Sequence, residues 1–149
     1  MAIWEDPFLK LPDDLRATFR PQREWVAGRG IFLLLGHFLS GAGAGAWLFS
    51  IYFGLPAGMF LSLMVVALGG VAHLLFLGRM GRVWRIVLRP HSSWISRGLL
   101  SMALFLLSGG LYLVLERSDA AGGTMGRVLL GVSLVGMAGI LVYKGFVYA

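Results

Sequence analysis

Cysteine is absent from the 149 residues. The chain therefore forms no disulfide and supplies no thiolate to an iron–sulfur cluster, to zinc or to nucleophilic catalysis. Any such chemistry belongs to a partner. Charge is scarce as well: only 13% of residues are Asp, Glu, Lys or Arg, against roughly a quarter in an average soluble domain. With 58% apolar residues, gathered into four runs of about 18 to 23, too little polar surface remains to cover a water-soluble fold. A nucleophile–base pair, a carboxylate dyad and a phosphate loop are also missing. Gly41 to Gly45 is glycine-rich, but it lies inside an apolar run with no lysine following. These absences point to a polytopic membrane protein that is not a complete enzyme by itself.

What is present sets the topology. The apolar runs predict spans at about 31–53, 57–78, 98–115 and 128–148. Their continuous apolarity, without alternation, reads as helix and not as barrel strand. A short uncharged turn containing Gly54 and Pro56 makes the first two spans an antiparallel hairpin. The expected fold is an all-α membrane protein: four transmembrane helices in an up-down bundle over residues 31–149. It is preceded by a polar segment, residues 1–30, lying on the membrane surface or against another subunit. That segment carries five acids and five bases around Trp4, Phe8 and Phe19, too charged for a signal-peptide core. Eleven of the 13 Lys and Arg residues fall on the face shared by the N-terminus, the loop between spans two and three, and the C-terminus. Arg117 and Arg127 alone lie opposite. This asymmetry predicts cytoplasmic termini, and it reads the net charge of +6 as topology, not as nucleic-acid binding.

Within span one, Gly41 and Gly45 share a stripe beside Ser40 and Ala44, a surface on which another helix can pack closely. Gly69, Gly70, Gly109, Gly110, Gly131, Gly136 and Gly139 supply similar flat surfaces on the other spans.

Polar side chains inside an apolar span are costly and face protein, water or ligand. His37 and His73 are therefore the first residues to explain. His37 lies six residues into the first predicted span, roughly 9 Å at 1.5 Å per residue, and His73 five residues before the end of the second. Antiparallel packing brings them to similar depth, although helical phase is not fixed by the sequence. Each imidazole suits either a packing hydrogen bond or a functional role. An imidazole can donate to a quinone carbonyl and also relay a proton.

The segment between spans two and three carries Arg82, Arg85 and Arg89 among Val83, Trp84, Val87 and Leu88. This spacing predicts a short amphipathic interfacial helix ending before Pro90, with Ser92, Ser93 or Ser96 capping the third span.

At these residues the chain resembles a family. Leu77-Gly78, Arg82 and Trp84, and the stretch Leu88-Arg89-Pro90-His91-Ser92-Ser93-Trp94-Ile95-Ser96-Arg97-Gly98, together with the small-residue run from Leu39 to Gly45, resemble the polysulfide reductase/NrfD membrane-subunit family. That family includes the dimethyl sulfoxide reductase anchor subunit. The resemblance covers about a quarter of the chain. It implies a multi-pass subunit in a prokaryotic cytoplasmic (inner) membrane, part of a respiratory oxidoreductase complex. Such a subunit lacks a metal or covalent cofactor of its own. It exchanges electrons between menaquinone or ubiquinone and a docked iron–sulfur protein, with a further catalytic subunit beyond. On this reading His37, His73, Arg82, Trp94 and Arg97 bind quinone or relay protons, while Arg79, Arg85, Arg89, Glu24 and Trp25 meet the partner. Family members usually have eight or more spans, so a second membrane half or NrfD-like subunit is also expected. Phe76 stands where some relatives have a histidine, and His73 lies about one turn earlier.

Two other classes are compatible with the residues. His37 and His73 could ligate one b-type haem across the bundle. A non-redox scaffold or small transporter is the other, although two ionisable residues in the spans are few for a coupled ion pathway.

Overall fold

The computed structural model describes residues 28–78, 91 and 93–146. The expected surface segment before residue 28, the interfacial helix around Arg82 to Arg89, and Arg79, Glu24 and Trp25 lie outside the described residues.

Four helices account for nearly all the rest: α1 (Gly30–Tyr52), α2 (Pro56–Leu77), α3 (Trp94–Arg117) and α4 (Thr124–Phe146). Each is 22 to 24 residues long. At 1.5 Å per residue that gives about 33 to 36 Å, enough to cross a hydrocarbon core of about 30 Å. All four are apolar enough to span a membrane, and the chain is a multi-pass, all-α membrane protein.

The connections show why the helices stop where they do. Gly54 has φ +62°, and Pro56 opens α2, where its missing N–H costs nothing. Gly78 closes α2 in the left-handed region at φ +65°, its N–H bonded to Leu74 O at 3.2 Å. Of the three serines considered as caps for α3, Ser93 fills the role and accepts from Ser96 N at 3.4 Å. Helices α3 and α4 each begin four residues before the predicted spans. Their first turns, Trp94-Ile95-Ser96-Arg97 and Thr124-Met125-Gly126-Arg127, are polar enough to lie outside an apolar run while remaining helical.

α1 packs most broadly on α2 and α3 on α4, and narrower α2–α3 and α1–α4 seams close the ring. The result is the expected up-down bundle. Its core draws on every helix: Ala44 and Trp47, Leu63 and Val66, Met102 and Phe105, Met137 and Ile140. Trp47 and Phe105 meet edge to face at 5.2 Å, a favoured aromatic geometry.

Lipid is as apolar as a leucine side chain, so close packing, not apolar burial, must hold such helices together. The closest approach of α1 to α2 runs through Gly36, Ser40 and Gly43. A Cβ on Gly43 would lie 2.9 Å from Ser62 O, and one on Gly69 would lie 2.8 Å from Ser40 N. This corrects the expected Gly41–Gly45 seam. Gly45 has open space where a Cβ would go, and Gly41 faces the Lys144 side chain of α4. Buried serines along the seams bond their own helices: Ser40 Oγ donates to Gly36 O at 2.6 Å, Ser62 Oγ to Gly58 O at 2.7 Å and Ser108 Oγ to Leu104 O at 2.6 Å. Each hydroxyl is thereby satisfied without a partner from lipid.

Candidate functional site

At the end of the bundle formed by the starts of α1 and α3 and the ends of α2 and α4, the core gives way to polar side chains. His37 lies seven residues into α1 and His73 four before the end of α2, about 10 and 6 Å of helix rise respectively. The antiparallel hairpin brings them together. Their ring centroids are 4.7 Å apart with planes tilted by 58°. Gly36 permits this approach, because a Cβ there would overlap the His73 ring.

Each imidazole is anchored by its own helix. His37 Nδ1 lies 2.9 Å from Leu33 O and His73 Nδ1 2.8 Å from Gly69 O. A carbonyl only accepts, so in both rings Nδ1 must carry the hydrogen. In the neutral ring, Nε2 is then the basic, hydrogen-accepting atom. His73 Nε2 is buried and has no hydrogen-bond partner among the described residues. An unsatisfied polar atom in so buried a residue marks a place where a ligand group or a proton can be received.

α4 completes the cluster. Tyr143 is buried and stacks on His37 at 5.5 Å, with its centroid 6.3 Å from that of His73. Its other neighbour is Gly98 of α3, where a Cβ would collide with the phenol ring. Lys144, next in sequence, lays its side chain over Gly41 and donates from Nζ to His37 O. Ser96 Oγ, at the start of α3, is buried and lacks a hydrogen-bond partner among the described residues. The arrangement thus holds two imidazoles, a phenol and an ammonium within side-chain reach of one another, just beneath the basic end.

The sequence-predicted residues divide into three groups. His37 and His73 come together as their depth suggested. Trp94 and Arg97 form a separate, exposed stack: the Trp94 ring lies parallel to Phe146 at 4.6 Å, Arg97 Cζ sits 4.3 Å over the Trp94 ring, and Arg97 Nη2 donates to His91 O at 3.1 Å. Arg82 and the docking residues Arg79, Arg85, Arg89, Glu24 and Trp25 fall outside the described residues. Sequence reasoning missed Tyr143 and the inward role of Lys144. The usable signal was a lysine in the last helical turn, beside a tyrosine and at the depth of the histidines.

The haem alternative can be tested against the ring geometry. Both Nδ1 atoms are held by carbonyls, leaving only Nε2 to ligate. Two such ligands on opposite faces of an iron at about 2 Å each would hold the ring centroids roughly 6 Å or more apart. Rings at 4.7 Å, on helices already in contact at Gly36, do not fit a porphyrin between them.

Comparison of the chain with known protein families, curated proteins and solved structures finds no match.

Proposed function

We propose that this protein is the integral membrane subunit of a multi-subunit oxidoreductase of polysulfide reductase/NrfD type, exchanging electrons between membrane quinone and an iron–sulfur protein docked on its basic end. The observation that carries the proposal is the unpartnered Nε2 of His73, buried beside His37, Tyr143 and Lys144 at the depth where a lipid-soluble headgroup can arrive from the bilayer. A quinone or quinol, when bound, supplies two-electron, two-proton chemistry while its apolar tail stays in lipid.

The chain's own residues suit both ends of that chemistry. A neutral His73, with its proton fixed on Nδ1, accepts at Nε2 and so complements a quinol hydroxyl. The Lys144 ammonium only donates and complements a quinone carbonyl. Gly41 leaves the space in which the Lys144 side chain lies at the α1–α4 seam. The arginines at positions 79, 82, 85 and 89 supply cationic charge for an acidic face of the iron–sulfur partner, with Glu24 and Trp25 nearby in the proposed interface. A further catalytic subunit and a second membrane half complete the proposed assembly. The charge asymmetry supports both termini on the cytoplasmic side, and the family resemblance supports a prokaryotic cytoplasmic membrane.

Purification of the tagged full chain from its native membrane tests the proposal. Co-elution of a protein bearing iron and acid-labile sulfide is expected. His73→Ala should lower quinol turnover on the order of 10²-fold, the scale of a lost general acid–base, with the complex still assembled. Isolation as a homo-oligomer without such a partner, or loss of assembly in step with turnover, would overturn it.

A further inference from the structure

The opposite end of the bundle holds a second feature that the proposed electron transfer does not use. Between α2 and α3 runs an open apolar groove of about 980 Å³. It extends from Ala67 and Leu106 at its inner end to Pro56, Glu116 and Arg117 at its mouth. Along α3, Leu106 to Arg117 is eleven residues, a rise of about 16 Å. One leaflet of hydrocarbon is about 15 Å deep, half of a core of about 30 Å. The groove therefore has the depth of one acyl layer, whereas a partner helix would need a groove across the whole membrane. Its floor is open at Gly110, where a Cβ would have nothing within 4 Å.

The mouth is not apolar. Glu116 and Arg117 occupy the last turn of α3, where lipid headgroups begin. Arg117 is exposed. Glu116 Oε2 is buried without a hydrogen-bond partner among the described residues. A carboxylate short of a donor beside an exposed guanidinium is complementary to a headgroup with one phosphate and one hydrogen-bonding ammonium.

We infer that the α2–α3 groove is a binding site for a phospholipid of the ethanolamine class, with an acyl chain along the groove, the phosphate on Arg117 and the primary ammonium on Glu116. Phosphatidylcholine, whose trimethylammonium has no N–H, lacks the contact to Glu116, and phosphatidylglycerol has no cation to make it. A quinone has no charged group to pair with either residue.

Native mass spectrometry of the full chain in detergent, with each of these three phospholipids added in turn, tests the inference. Wild type should retain phosphatidylethanolamine about tenfold more strongly than the other two, the worth of one charge-assisted hydrogen bond. Glu116→Gln should erase that preference, and Arg117→Gln should weaken retention of all three. Gly110→Leu fills the floor, its Cβ meeting nothing within 4 Å, and should displace every lipid while leaving the thermal midpoint near that of wild type. Equal retention of the three lipids by wild type would overturn the inference. So would an unchanged preference in Glu116→Gln, unchanged retention in Gly110→Leu, or recovery of a second copy or a quinone from the groove in place of phospholipid. None of these readouts depends on electron transfer.

Discussion

Replacing Gly36 with alanine tests the helix contact that brings the two imidazoles together. A Cβ at this position would lie 2.7 Å from Cε1 and 3.0 Å from Cγ of His73, where ordinary contacts are 3.4 Å or more. The ring must therefore withdraw by roughly 1 Å, which stretches the 2.8 Å bond from His73 Nδ1 to Gly69 O beyond the usual limit of about 3.2 Å. Loss of that bond costs about 0.5 to 1.5 kcal/mol, and overpacking a tight site costs about 1 to 3 kcal/mol. Alanine returns up to about 1 kcal/mol through its higher helix propensity. The net expectation is destabilisation by about 1 to 3 kcal/mol, read from reversible unfolding in mixed micelles. The decisive comparison is a double-mutant cycle. In a His73→Ala background the obstructing ring is gone, and Gly36→Ala should become neutral or slightly stabilising. If the two substitutions instead add to within about 0.5 kcal/mol, Gly36 and His73 are not in contact and the geometry of the site is wrong.

Three further outcomes follow from the same packing. A Cβ on Gly136 would lie 2.7 Å from the backbone N of Phe105, which cannot rotate away, whereas Gly131 faces open space. Gly136→Ala should therefore destabilise by about 1 to 3 kcal/mol and Gly131→Ala should be neutral or stabilise by up to about 1 kcal/mol, with equal effects of the two in the same unfolding assay contradicting the α3–α4 seam. Trp47 is fully buried, and its Nε1 has no hydrogen-bond partner among the described residues. Trp47→Ala should cost about 3 to 5 kcal/mol, while Trp47→Phe, which sacrifices no hydrogen bond, should cost about 1. Equal losses would show that the indole N–H carries an interaction. Because the chain has no cysteine, single thiols report topology directly. A membrane-impermeant maleimide on intact cells should label Ser118→Cys at once and His91→Cys only after permeabilisation, and the reverse pattern would refute the proposed orientation.

Much of this fold was legible because a bilayer asks little of a sequence: long apolar runs, short turns and a charge imbalance. The spans were placed to within one residue at both ends of α2, where Pro56 and Gly78 mark the boundaries in the sequence itself. They were short at the starts of α3 and α4, because hydropathy records where the chain is apolar, not where it is helical, and polar first turns such as that after Ser93 belong to the helix without belonging to the apolar run. The small-residue seam was misplaced for a related reason. In Ser40-Gly41-Ala42-Gly43-Ala44-Gly45 every face of α1 is small, so composition does not select one. The choice is made by α2, whose Ser62, Val66 and Gly69 offer a surface into which Gly36, Ser40 and Gly43 interlock.

The site was legible in depth but not in direction. Two histidines at similar distance from one membrane face are placed by counting residues, since rise per residue is fixed; whether they meet depends on rotation about each helix axis, which only interhelical packing sets. That same rotation explains why Tyr143 and Lys144 did not announce themselves. On α3, Gly98 meets Tyr143, and Trp94, one turn earlier on the same face, meets Phe146, with Arg97 over its ring. On α4, the turn that places Ile140 in the core carries Tyr143 inward behind it, and Lys144 then reaches sideways across the α1–α4 seam to the His37 carbonyl. A lysine at this position reads in sequence as one more positive charge at the membrane face. In the fold, Gly41 leaves the space that lets its long side chain turn back along α1. The Lys144 ammonium and the imidazole pair are thereby joined into one polar unit.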